Sequence, residues 1–220
     1  MTIKKNLTPY ISQGETTMKH LFIYLILISC LIGGLNGCAT PGPKIVDLAY
    51  EKYHSPTQND NFGIAQFKDN RQKLGKGVVG YRILTDQSQE TYMVRGKDLS
   101  ATLTELTRVY LEKTGFIVSP IPPWPHTLTG MAQAPEGLSH ILSADINAFE
   151  CKAEKKGTLT QMVLHIDLTF YMGNIQSKQL STIPVSLTLE RTEMTFDADK
   201  LAQFLNQAFE EIIEKAFPFK

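Results

Sequence analysis

The stretch Leu159-Thr160-Gln161-Met162-Val163-Leu164-His165-Ile166-Asp167-Leu168-Thr169-Phe170-Tyr171 decides the fold. Met162, Leu164, Ile166, Leu168 and Phe170 alternate with Val163, His165, Asp167 and Thr169, and period two over that length admits a strand and no helix. Upstream, Leu142, Ala144, Ile146 and Ala148 share one face of a preceding strand, with Lys155-Lys156-Gly157 as the turn between the two. Downstream, Gly173-Asn174 reads as the next turn, and Ile183, Val185, Leu187 and Leu189 face inward from a third strand. The three strands predict an antiparallel meander.

A helix is expected on either side of it. Asp98 is placed to cap one, because its carboxylate can accept unpaired N–H groups of the first turn; Leu99, Leu103, Leu106 and Tyr110 form its apolar stripe, and Gly115 ends it. Asp197 caps the other, with Leu201, Phe204, Leu205, Ala208, Ile212 and Phe217 on the buried side. Earlier in the chain, Phe62, Ile64 and Phe67 suggest a first strand, while Val79, Tyr81 and Ile83 pair with Thr91 to Val94 as a hairpin. The segment Pro120-Ile121-Pro122-Pro123-Trp124-Pro125 lacks the donors of a central strand. The fold class predicted is therefore α+β: a two-layer sandwich, an antiparallel β-meander with two amphipathic helices packed on one face.

The other end of the chain carries an address. Lys19 is followed by the apolar run Leu21 to Ile32 and then by Leu35-Asn36-Gly37-Cys38. That order is a secretory leader. The run falls short of the roughly 18 to 20 residues of a membrane span, and Gly33, Gly34 and Asn36 break it. The segment resembles the lipobox of bacterial lipoproteins, in which Cys38 takes a diacylglycerol and becomes the acylated first residue. The domain organisation expected is a signal peptide over 1–37, with the true start possible at Met18, a lipid-anchored tether over 38–60 carrying a short apolar patch from Ile45 to Tyr50, and one α+β periplasmic domain over 61–220. Ala39 after the anchor, where an Asp would retain the protein at the inner membrane, favours the outer membrane.

Cutting before Cys38 removes Lys4, Lys5, Lys19 and Glu15 from 22 basic and 22 acidic residues, leaving a mature charge of about −2. A slightly acidic domain argues against nucleic acid as a partner. Of three cysteines, only Cys151 stays in the mature domain as a thiol, so no disulfide can staple it. The chain contains no CxxC pair, HExxH helix, GxSxG elbow or glycine-rich phosphate loop. No cofactor, metal or catalytic residue is assigned.

Four groups of residues merit weighing as sites. His165 and Asp167 share one side of a strand, with Asp145 and Asn147 opposite; alternation alone supplies neither converging ligands nor a dry surround, so a solvated polar ladder is preferred to a metal or acid–base site. Asp69-Asn70-Arg71 reads as a self-bonded turn rather than an anion site. Cys151 lacks a nearby His, which argues against a nucleophile. On the sheet face away from the helices, Phe149, Tyr171 and Met194 are expected as apolar residues among polar neighbours. With Trp124 from the Pro-rich loop they form a candidate surface for a protein partner.

Over nearly its whole mature length the chain resembles the YajG-like family of small bacterial envelope lipoproteins. The matching landmarks are the lipobox at Cys38, Phe67-Lys68-Asp69-Asn70-Arg71 after the first strand, and Lys97-Asp98-Leu99 opening a helix that finishes Glu112-Lys113-Thr114-Gly115-Phe116-Ile117-Val118. The hairpin from Ile141 to Tyr171 and the closing amphipathic helix follow in the same order. The resemblance implies a lipid-anchored, non-catalytic periplasmic binding or assembly module with an envelope protein as partner. The order of elements is also similar to that of the lipoprotein that plugs the lipopolysaccharide translocon, and to auxiliary lipoproteins of ABC-type lipid transporters. The alternative function is thus an accessory lipoprotein of a lipid or lipopolysaccharide transport complex.

Overall fold

The computed structural model describes residues 42–56 and 59–218. The leader, the Met18 start and Cys38 lie outside them. In chain order the elements are β1 (Lys44–Val46), β2 (Asn61–Ala65), β3 (Lys68–Asp69), β4 (Val78–Ile83), β5 (Gln89–Val94), α1 (Leu99–Thr114), β6 (Ile117–Ile121), α2 (Leu128–Met131), β7 (His140–Lys156), β8 (Leu159–Asn174), β9 (Gln179–Glu193) and α3 (Ala198–Ala216).

The meander is present as β7, β8 and β9, paired antiparallel along almost their full lengths. It is not the whole sheet, and here the expected architecture needs correction. β7 is long enough to take several parallel neighbours on its other side: β2 beside Phe62–Ile64, β3 beside Lys68 and Asp69, and β4 beside Gly80–Ile83. β6 adds to β2 and β1 to β5, both parallel, while β4 and β5 form the antiparallel hairpin. The result is one mixed, curled sheet of nine strands among the described residues. Curling brings Phe196, just after β9, edge-on to Tyr92 of β5 with ring centroids 5.4 Å apart.

Both long helices follow their sequence signals. Asp98 Oδ1 accepts from the Ala101 N–H at 3.1 Å, and Gly115, at φ 106°, takes the left-handed turn that ends α1. Asp197 Oδ1 accepts from the Lys200 N–H at 2.9 Å and starts α3. α3 buries Leu201, Phe204, Leu205, Ala208, Phe209, Ile212 and Ile213 against the same core that receives Met162, Leu164, Ile166, Leu168 and Phe170 of β8. Among the described residues no helix is long and apolar enough to cross a membrane.

Two local departures matter. The strand β8 runs through Gly173 and Asn174, and the turn falls at 175–178 instead. Gly173 serves close packing: a Cβ there would stand 2.8 Å from Met131 Sδ. In β7 the pairing register shifts between Ile146 and Ala148, leaving Asn147 as an extra residue. That bulge inverts the inside–outside alternation, so Phe149, Cys151 and Ala153 take over the core side and Ala148 does not. Phe149 is therefore a fully buried core residue and not part of an outer-face surface.

Residues 42–56, read as tether, run along the domain: β1 lies at Lys44–Val46, the Ala49 N–H donates to Asn206 Oδ1 at 3.1 Å, and the Glu51 N–H donates to Glu210 Oε1 at 3.1 Å. β9 forms one edge of the sheet, with Pro184, sixth of its fifteen residues, opposite Thr169.

Candidate functional site

The outer face of β7 and β8 is polar for most of its length. His165 Nδ1 lies 3.2 Å from Thr188 Oγ1 on the next strand, and Asn147 Nδ2 donates to Asp167 Oδ1 and to Thr169 Oγ1 at 3.1 and 3.2 Å. These are cross-strand side-chain pairs. Among the described residues no three His, Cys, Asp or Glu side chains are grouped to hold a metal ion.

At the β8 C-terminal end the character changes. Ser143 and Tyr171 are cross-strand partners on the outer face, with Asp145 next along β7. The loop after β6 folds back over them. His126 stacks on the Tyr171 ring with centroids 3.7 Å apart, and Trp124 meets His126 edge-on at 5.1 Å. Below the imidazole, Ser143 Oγ lies 2.7 Å from His126 Nε2, while the Tyr171 hydroxyl donates to Asp145 Oδ2 at 3.2 Å. Ser143 is left 5% exposed. Burial holds the His126 pKa below the ordinary imidazole value, against an opposing pull from Asp145. Burial and the Asp145 carboxylate together raise the Tyr171 hydroxyl. Both groups are therefore neutral at pH 7. Trp124 also lines a cavity of about 240 Å³ between Ile121, Pro125, Gln133 and Ile141, and its Nε1 is buried with no hydrogen-bond partner among the described residues.

Of the four residues expected to form one contact surface, only Trp124 and Tyr171 come together, and His126 joins them. Phe149 is in the core. Met194 is exposed but lies beyond the far end of β9, twelve residues past Thr182, the partner of Tyr171; at roughly 3.4 Å per residue that is about 40 Å away. Sequence reasoning missed His126. Its only signal was its place two residues after Trp124 in an extended, proline-bounded segment.

The remaining candidates are structural. Every donor of Arg71 is used inside the protein: Nε and Nη2 on Asp69, Nη1 on the Val78 and Phe149 carbonyls, and Nη2 also on the Lys76 carbonyl. None remains for an anion. Cys151 is buried, and that burial pushes its thiol pKa up to about 12, the reverse of an activated nucleophile.

No protein-family model matches the chain, and no curated protein matches it. Among solved structures, the fold is similar to that of a Xanthomonas campestris protein of family DUF330, at TM-score 0.50 and 11% identity, covering 78% of this chain and 91% of that one. A hypothetical protein from Chlamydia trachomatis, CT253, aligns at TM-score 0.38 and 11% identity over 71% of this chain and 95% of its own. Lipoprotein GNA1162 from Neisseria meningitidis aligns at TM-score 0.30 and 9% identity, over 70% and 99%. At such identities the first of these likenesses concerns the fold alone.

Proposed function

We propose that the protein is a lipid-anchored component of the bacterial envelope, acylated at Cys38 and held on the periplasmic side of the outer membrane, that acts by binding an envelope protein rather than by catalysis. The lipobox-like Leu35-Asn36-Gly37-Cys38 and the resemblance to YajG-like lipoproteins support the anchor. The observation that carries the binding role is the Trp124–His126–Tyr171 stack. It gathers three partly exposed aromatic rings on the sheet face turned away from the core. The alternative is an accessory lipoprotein of a lipid or lipopolysaccharide transport complex.

The Ser143–His126 contact favours a second, enzymatic reading, since a hydroxyl hydrogen-bonded to imidazole is the start of a nucleophile–base pair. Against it, the nearby carboxylate of Asp145 is engaged by Tyr171, and Ser143 is covered by the imidazole itself. Crosslinking in native envelopes tests the proposal. Trp124→Ala and Tyr171→Ala should each lose partner crosslinks at normal abundance and melting temperature, and Cys38→Ala should lose palmitate labelling. Wild-type crosslinks in both aromatic variants, or unfolding of both, would make the stack simple packing. Loss of phenotype in Ser143→Ala with crosslinks intact would favour the enzyme.

A further inference from the structure

The start of the described residues and the placement of two exposed apolar residues converge on one end of the sheet. β1 runs parallel to β5 with Lys44 beside Tyr92, and Lys44 Nζ bonds Glu90 Oε1 at 2.6 Å while lying 5.8 Å over the Tyr92 ring. Tyr92 in turn touches Phe196, two residues after Met194. Met194, the first residue after β9, is 79% exposed and follows Glu193, the partner of Thr160, which is next to Leu159, itself 41% exposed. Leu159 pairs with Lys156 across the β7–β8 turn. Beside it, Lys155 is exposed and makes no ion pair among the described residues, whereas the Lys156 ammonium is 3.9 Å from Glu154. One end of the sheet thus combines the entry of the chain, two large exposed apolar side chains and a lysine pair.

Resting on the anchoring reading above, we infer that this end of the sheet, the 156–159 turn with Leu159, Met194 and Lys155, sits on the lipid leaflet that holds Cys38. Only residues 39–43 separate Cys38 from β1, so even a fully extended connection spans at most about 20 Å. An anchor that short keeps the Lys44 end of the domain at the bilayer surface. There Leu159 and Met194 reach the boundary between headgroups and acyl chains, and Lys155 meets lipid phosphate. The opposite end of β8, with Leu128 beside Ile175, is held away from the bilayer.

The test uses the acylated full-length protein in a Cys151→Ala background, carrying Leu159→Cys, Met194→Cys or Leu128→Cys labelled with an environment-sensitive fluorophore. The probe is a phosphatidylcholine vesicle containing brominated acyl chains. Quenching at positions 159 and 194 should exceed that at 128 several-fold. Equal quenching at all three positions, or none at 159 and 194 in protein that floats with vesicles and carries palmitate, overturns the orientation and leaves the anchor standing. Protein that carries no palmitate overturns the anchor itself and this inference with it.

Discussion

Arg71 holds the Phe149 carbonyl, with Nη1 3.0 Å from the oxygen, at the place where β7 passes from one set of neighbours to another. β2 and β3 pair with β7 up to Ile146, β4 pairs with it from Cys151, and among the described residues no strand lies beside the backbone between on that edge. The guanidinium fills the gap. It binds the Phe149 and Val78 carbonyls, one from each side, while Asp69 fixes its other edge through two parallel bonds at 2.9 and 2.8 Å.

Removing this side chain should therefore cost more than an ordinary surface change. Its side chain is 4% exposed, and Arg71→Ala leaves the Asp69 carboxylate with the residue 71 N–H and takes the guanidinium from the Val78, Phe149 and Lys76 carbonyls. We expect a loss of about 3 to 5 kcal/mol, with Arg71→Lys recovering little because an ammonium cannot reproduce the planar fork. Urea unfolding midpoints measure both; a near-neutral Arg71→Lys would show that charge alone matters.

The two apolar residues that alternation placed together should behave oppositely. Phe149→Ala empties a core site and should cost about 3 to 5 kcal/mol. Met194→Ala should change stability by less than about 0.5 kcal/mol. Thermal melts of the two variants decide it, and similar losses would disprove the assigned faces.

The pH dependence has a defined sign. Burial lowers the pKa of both His126 and His140 in the folded state. The unfolded chain then binds those protons first, so the stability they contribute is complete above about pH 6.5 and is lost as pH falls below it toward the lowered folded values. The melting temperature should drop between about pH 7 and 5, and His126→Asn combined with His140→Asn should flatten that slope. An unchanged slope would assign the drop to other groups.

Deleting Asn147 should be far less damaging than deleting His165 from the partner strand. Without the extra residue, Ala144, Ile146, Phe149 and Cys151 fall into plain alternation and all still face inward, whereas loss of His165 puts Leu164 and Ile166 on opposite faces. Circular dichroism should show the Asn147 deletion folded and the His165 deletion unfolded. An unfolded Asn147 deletion would mean that the bend made by the bulge is itself required.

Much of this architecture could be read from residues whose signal is local. The alternation of Met162 to Phe170, the caps Asp98 and Asp197, and the stripe from Leu201 to Ile212 each report a face or an end, and each lies where that signal put it. Alternation says nothing about which strand lies alongside or in which direction. The parallel neighbours of β7 were consequently illegible, and the hairpin-connected strands suggested a plain meander. Phe149 was misplaced because one unpaired residue reverses parity for everything after it. Gly173-Asn174 looks like a turn, whereas contact with Met131 explains the glycine. His126 was invisible for a related reason: only the folded loop places it between Trp124 and Tyr171.

Pro184 bears on what this domain meets outside its own fold. β9 presents fifteen residues along an open sheet edge, the kind of row onto which an unfolded chain can add as a further strand. A strand proline is tolerated where its missing N–H turns toward solvent. Its position, sixth of the fifteen residues of β9, interrupts the donor row, so an intruding segment meets runs of five and nine residues, Gln179–Ile183 and Val185–Glu193, in place of an unbroken edge. A long sheet edge is in this way protected from templating aggregates.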